Sequence, residues 1–136
     1  MSATSVPFFD TNVLLYLLSG DARKADRAET LLADGGIVSV QVLNEFASVA
    51  RRKLQLSWPE TREILGVIRT LCRVEPVTLA THEAGLDLAA RYDFAFYDAM
   101  IVAAAQQSGC AILYSEDMQH GQVIDGLKIH NPFREI

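Results

Sequence analysis

Short, mostly apolar runs recur along this chain, and between them lie longer stretches whose apolar residues are spaced for helices. Val6-Pro7-Phe8-Phe9, Ile37-Val38-Ser39-Val40, Val74 to Leu79, Ala111 to Tyr114 and Leu127 to His130 are the strand candidates. Between them, Asn12 to Leu18, Asp21 to Ala33, Gln41 to Leu54, Ser57 to about Arg73, Thr81 to Tyr92 and Tyr97 to Ser108 fit helices. Ser57-Trp58-Pro59-Glu60 has the S-x-x-E spacing of a capping box, with proline in the first turn. Asp34-Gly35-Gly36 and Gly109 read as helix stops. Strands that alternate with helices, and that are apolar throughout, suit a parallel sheet covered by helices on both faces. The expected architecture is therefore a three-layer α/β/α sandwich with a mostly parallel central sheet. The 136 residues fit one domain spanning 1–136, with no repeat, linker or low-complexity segment.

Composition narrows the function. Half the residues are apolar, which suits a packed core. Twelve basic residues against 17 acidic ones give a net charge of −5, so non-specific attraction to phosphates by bulk charge is not expected. Bound divalent cations can reverse the sign at an acidic site, and a nucleic-acid enzyme stays open. Cys72 and Cys110 match no zinc or redox spacing and read as small buried hydrophobes. Residues Met1 to Phe9 lack the basic and apolar regions of a signal peptide, and no apolar run approaches the roughly 20 residues of a membrane span. A cytoplasmic protein with no membrane partner is expected.

In open α/β sheets, ligands gather beyond the carboxyl ends of the strands. Four acids are candidates for that edge. Asp10 follows the first strand and Asp117 lies just past the fourth; Glu45 sits early in the helix after the second strand, and Asp98 opens an otherwise apolar helix. Singly, each has an ordinary explanation as a cap, a turn residue or a solvated helix residue. Jointly they are harder to dismiss, because Asp10 and Asp98 interrupt strongly apolar surroundings, where an unpaired carboxylate is costly. Gathered carboxylates repel, and a divalent cation relieves them. Magnesium or manganese, which prefer oxygen donors, fit better than zinc. His82, His120 and His130 have no ligand spacing and read as surface or capping residues.

These residues also carry a family likeness. Phe9-Asp10-Thr11-Asn12, Ser39 to Phe46, Tyr97 to Ala105, and Ser115-Glu116-Asp117 with His120-Gly121-Gln122 and Asn131-Pro132-Phe133 resemble, in order, the motifs of PIN domains. The nearest resemblance is to single-domain toxins of toxin–antitoxin pairs, the VapC type. That resemblance implies a magnesium- or manganese-dependent endoribonuclease with Asp10, Glu45, Asp98 and Asp117 as the acidic quartet. It also implies that Asn12 and Ser115 support the carboxylates. It further implies RNA as substrate, a cognate antitoxin, a homodimer, and hydrolysis by an activated water that leaves a 5′-phosphate and a 3′-hydroxyl. Glu116 is a weaker candidate ligand, better read as solvated. Arg51-Arg52-Lys53 and Arg23, Lys24 and Arg27 could guide RNA or simply be solvated charges. Trp58 could anchor the antitoxin or serve the core or a cap. Two rivals remain. A phosphatase or phospho-acceptor domain would want D-x-D or a late lysine, and the chain has Asp10-Thr11-Asn12 and Tyr114-Ser115-Glu116. An inactive PIN scaffold that binds RNA or protein would not need the intact quartet.

Overall fold

The structure, a computed structural model, describes residues 6–136. The expectation about the leader falls partly on residues 1–5, which lie outside the described residues. The strands are β1 (Phe8–Phe9), β2 (Gly36–Ser39), β3 (Cys72–Glu75), β4 (Ile112–Tyr114), β5 (Val123–Ile124) and β6 (Leu127–His130). The helices are α1 (Thr11–Leu15), continued by a 3-10 turn over Tyr16–Leu18, then α2 (Ala22–Ala33), α3 (Val40–Arg52), α4 (Trp58–Leu71), α5 (Leu79–Tyr92) and α6 (Phe96–Gln107).

Among the described residues the sheet has the order β3-β2-β1-β4-β6-β5, parallel except for the β5–β6 pair. The expected α/β sandwich is what forms. Right-handed crossovers explain the layers. The chain steps from β1 to β2 to β3 in one direction, so α1 to α4 cover one face. It then returns over the sheet to β4, so α5 and α6 cover the other. Contacts agree, since α1, α2, α3 and α4 pack among themselves while α5 packs chiefly on α6.

β1 is only two residues long, yet Phe8 and Phe9 are fully buried between β2 and β4. The neighbouring Gly36 is obligatory: a Cβ there would overlap the Phe9 ring. At Gly85 of α5 a Cβ would press on the flexible Met100 side chain of α6, which would have to shift. The capping box at Ser57 forms as expected, with Ser57 N–H donating to Glu60 Oε1 at 2.8 Å and Glu60 N–H to Ser57 Oγ at 3.1 Å. Cys72 and Cys110 are buried free thiols, and burial pushes both pKa values up to about 11.

Two expectations need correction. The third strand is Cys72–Glu75 rather than Val74 to Leu79, and α4 stops at Leu71. Pro76 explains the early end, since proline cannot donate to a sheet ladder. β5 is absent from the sequence reading altogether. It pairs antiparallel with β6 through Asp125-Gly126, both at positive φ (49° and 88°), the two-residue hairpin turn that favours this dipeptide.

Candidate active site

Strand order reverses between β1 and β4, and such a switch point opens a crevice at the carboxyl edge of the sheet. Asp10 is the residue after β1. Its backbone N–H donates to Tyr114 O at 2.9 Å, continuing the pairing with β4, and only 5 % of its surface is exposed. Asp10 caps α1: Oδ1 accepts from Thr11 N at 2.7 Å. Oδ2 accepts from Ser115 Oγ at 2.8 Å and from Asn12 Nδ2 at 3.3 Å. The ordinary reading of this residue as a cap is thus correct but incomplete. Burial pushes its pKa up to about 6 despite the bonds from Ser115 and Thr11, and the charges of Asp98 and Glu45 push the same way.

α3 begins directly after β2, capped by Ser39, so its first turns stand at the same edge. There Glu45 Oε1 accepts from Thr11 Oγ1 at 2.6 Å and Oε2 from Gln41 Nε2 at 3.3 Å. The Gln41 amide also donates to Tyr97 O at 3.2 Å, which ties the start of α3 to the start of α6. α6 runs back along the other face and brings Asp98, in its first turn, to the crevice. Asp98 is half-buried, and its pKa is raised by burial first and then by the charges of Asp117 and Glu45. Asp117 follows β4 and is exposed.

One open pocket of about 310 Å³ is lined by Asp10, Glu45, Asp98 and Asp117, with Thr11, Asn12, Ser48 and Arg52 between them. Ser115 lies fully buried beneath it. The structure therefore brings all four acids, drawn from four separate parts of the chain, to one crevice. Among the described residues no three such side chains already stand as a closed cation cage. The donor chemistry nevertheless fits a hard cation. The pocket offers carboxylates and neutral oxygens, no histidine, and two acids whose raised pKa values record burial and mutual repulsion that a cation would relieve.

Sequence reasoning missed Thr11 and Gln41, which hold Glu45, and Ser48 on the pocket wall. Thr11 lay inside the quoted Asp10-Thr11-Asn12, but its partner is 34 residues away and no local spacing shows it. The basic residues divide. Arg52 faces the acid pocket, whereas Arg51 lies over the Trp58 ring at 4.4 Å and donates to Leu56 O at 2.6 Å. Arg23 and Arg27 are exposed. Glu116, read as a solvated side chain, instead accepts from Tyr16 Oη at 2.5 Å and pairs with Lys24 Nζ at 3.3 Å. No histidine enters the pocket: His120 accepts from Asn131 N–H at 3.0 Å, and His82 packs edge-on against Phe96. Trp58 is 63 % exposed, so it has no core role.

Residues 8–124 match the family model of the PIN domain. Several solved structures share the fold. One is the crystal structure of VapC20 from Mycobacterium tuberculosis, described as a sarcin–ricin loop cleaving toxin. It is 27 % identical with a TM-score of 0.67, over 82 % of this chain and 89 % of that one. A toxin–antitoxin complex from Klebsiella pneumoniae is similar at 23 % identity and a TM-score of 0.71, over 93 % and 98 %. DNA-bound VapBC from Salmonella typhimurium is similar at 16 % identity and a TM-score of 0.70, over 94 % and 98 %. No curated protein matches the chain significantly.

Proposed function

Because this chain belongs to the PIN-domain family, we propose that it is a divalent-cation-dependent endoribonuclease and the toxin of a toxin–antitoxin pair. The observation that carries this reading is the convergence of Asp10, Glu45, Asp98 and Asp117 on one crevice at the β1/β4 switch point. The likeness to a toxin described as cleaving the sarcin–ricin loop supports RNA as the substrate class. Unstacked loops are also the part of RNA that proteins reach most readily.

In this reading the four carboxylates hold magnesium or manganese. The bound ion supplies Lewis acidity at the scissile phosphate and a more acidic water. Thr11 and Gln41 fix the orientation of Glu45, and Ser115 and Asn12 that of Asp10. Arg52 is the one basic side chain on the pocket wall and attracts the phosphate of the RNA strand. The products carry a 5′-phosphate and a 3′-hydroxyl. Purified protein should cleave a structured RNA with magnesium or manganese and stop with EDTA. Robust cleavage in excess chelator would sink the cation mechanism.

Partners follow from apolar surface that the sheet does not use. Two open grooves, of about 340 and 350 Å³, lie beside α1 and between α3 and α4. The first includes Leu15 and Leu18, and the second Leu43, Trp58 and Leu65. In the helices that border these grooves Leu14 is core, whereas Leu15, Leu17, Leu18 and Ile64 are partly buried and Trp58 is exposed. A cognate antitoxin segment would lie in these grooves. A second copy of the chain would cover the face of α5, where Leu79 is 72 % and Leu86 49 % exposed. Expressed alone, the protein should arrest growth, and co-expression with its antitoxin should restore it.

A further inference from the structure

Asp117 is the one exposed acid of the four, and among the described residues its side chain makes no hydrogen bond or ion pair. Its position depends on the short segment after β4, Ser115-Glu116-Asp117. That segment is held on two sides. Asn12 bridges it to Asp10: its amide donates to Asp10 Oδ2 at 3.3 Å, and its Oδ1 accepts the Glu116 N–H at 3.1 Å. On the other side the Glu116 side chain turns away from the acid pocket. Oε1 accepts from Tyr16 Oη at 2.5 Å, Oε2 faces Lys24 Nζ at 3.3 Å, and Lys24 also donates to Tyr16 Oη at 3.1 Å. Tyr16 is itself seated, with its ring 4.5 Å from that of Phe133 and the Lys24 ammonium 4.7 Å above it. Three groups from the 3-10 turn, α2 and the β4 exit thus close a triangle in which both Glu116 oxygens are engaged.

We infer that Tyr16, Lys24 and Glu116 form a positioning clamp that sets the Asp117 segment against Asp10, and that Glu116 is not itself a cation ligand. The inference rests on the cation-dependent reading of the acid pocket for its consequence, though not for the clamp itself. To reach the pocket the Glu116 carboxylate would have to give up its bonds to Tyr16 and Lys24, and the pocket wall does not include Glu116. Charge-assisted hydrogen bonds are among the stronger ones in proteins, so the triangle holds the segment more firmly than a solvated glutamate would. The segment in turn places Asp117 and, through Asn12, orders the Oδ2 side of Asp10.

The test has two arms on the intact chain. The first is amide hydrogen exchange of Glu116 and Met118, whose N–H groups are held by Asn12 and Ser115. Tyr16→Phe removes only the hydroxyl and keeps the ring on Phe133; Lys24→Met removes the charge. Loss of a hydrogen bond to a charged group should speed exchange at these two amides by about tenfold, while amides in α6 stay unchanged. The second arm is Mn2+ binding by calorimetry. The clamp predicts affinity weakened by about tenfold in Tyr16→Phe and Glu116→Ala, as for other groups that orient ligands, with Glu116→Gln, which still accepts from Tyr16, retaining more than Glu116→Ala. If Glu116 were a ligand, Glu116→Gln and Glu116→Ala would lose affinity alike and Tyr16→Phe would keep it. Unchanged exchange in Tyr16→Phe and Lys24→Met would overturn the clamp, as would a lowered melting temperature with local exchange and affinity both intact. Wild-type protein that binds no Mn2+ would overturn the cation reading, and the exchange arm would still decide the clamp.

Discussion

The crevice at the β1/β4 switch point and the outer face of α5 depart from the usual inside–outside rule in opposite directions. At the crevice polar groups go in: Asp10, Thr11, Ser39 and Ser115 are all buried. At α5 apolar groups come out, with Leu79 and Leu86 exposed and Val77 at 40 % just before the helix. Burial of a carboxylate is unfavourable unless it is bonded or paired, and Asp10 is bonded three times and still has a raised pKa. Exposed leucines on one helix face gain nothing from water. In the proposed function a cation would relieve the penalty in the first region and an apolar surface of a second copy that in the other. The kind of residue misplaced tells which.

The largest expected effect is on catalysis. Asp10→Asn or Asp98→Asn should lower RNA cleavage by at least about a hundredfold, the upper range for groups that merely support ligands. Asp87→Asn, an exposed residue on α5, should cleave at the wild-type rate. Next comes association. Leu79→Glu with Leu86→Glu should weaken self-association by about a hundredfold or more, since each buried leucine contributes on the order of 2 kcal/mol. Light scattering checks it; a wild-type monomer at micromolar concentration would refute the homodimer. Cleavage per active site should change far less than in Asp10→Asn.

A smaller effect concerns pH. The pKa of Asp10 is raised from 3.8 to about 6 by burial. The folded state therefore binds this proton more tightly than the unfolded chain. Cation-free stability should fall as pH rises from about 4 to 6, by roughly 3 kcal/mol at most, and stay low above that. The raised pKa of Asp98 acts in the same direction. Asp10→Asn should flatten the slope and melt at or above wild type at pH 7 in EDTA. Thermal melts across this range check it, and an unchanged slope in Asp10→Asn would show that Asp10 is not the titrating group. Smaller still, Ser115→Ala should weaken Mn2+ binding by about tenfold through loss of the bond that orients Asp10.

Both regions were unevenly legible in the sequence. Asp10 and Asp117 were readable because strand ends are readable: an apolar run that stops at an acid fixes the acid's place at the sheet edge. Asp98 was readable because it interrupts the apolar stretch that became the most buried helix of the fold. The contacts that aim these acids were not. Thr11 to Glu45, Gln41 to Tyr97 and Tyr16 to Glu116 join residues 34, 56 and 100 positions apart, and only the folded chain brings them together. The apolar pattern starts β3 two residues late because Val74 is its most apolar residue, while its start at Cys72 is set by pairing with Gly36. Asp125-Gly126 signals the hairpin, but β5 has only two residues, too few to show alternation. The exposure of Leu79 and Leu86 was hidden for a different reason: spacing shows that a helix has an apolar face, not that the sheet will leave part of it uncovered.

In the proposed function the four carboxylates at the switch point make one cation site. Thermal melts of wild type and Asp98→Asn, in EDTA and in rising magnesium, test it most directly. The wild type should gain stability by mass action, about 2.7 kcal/mol at a hundredfold excess over the dissociation constant. Asp98→Asn should melt at or above wild type in EDTA, because one repelling charge is gone, and should lose most or all of the magnesium increment. An Asp98→Asn protein that keeps the full magnesium shift would contradict the site, and one that melts far below wild type in EDTA would make Asp98 a structural group instead.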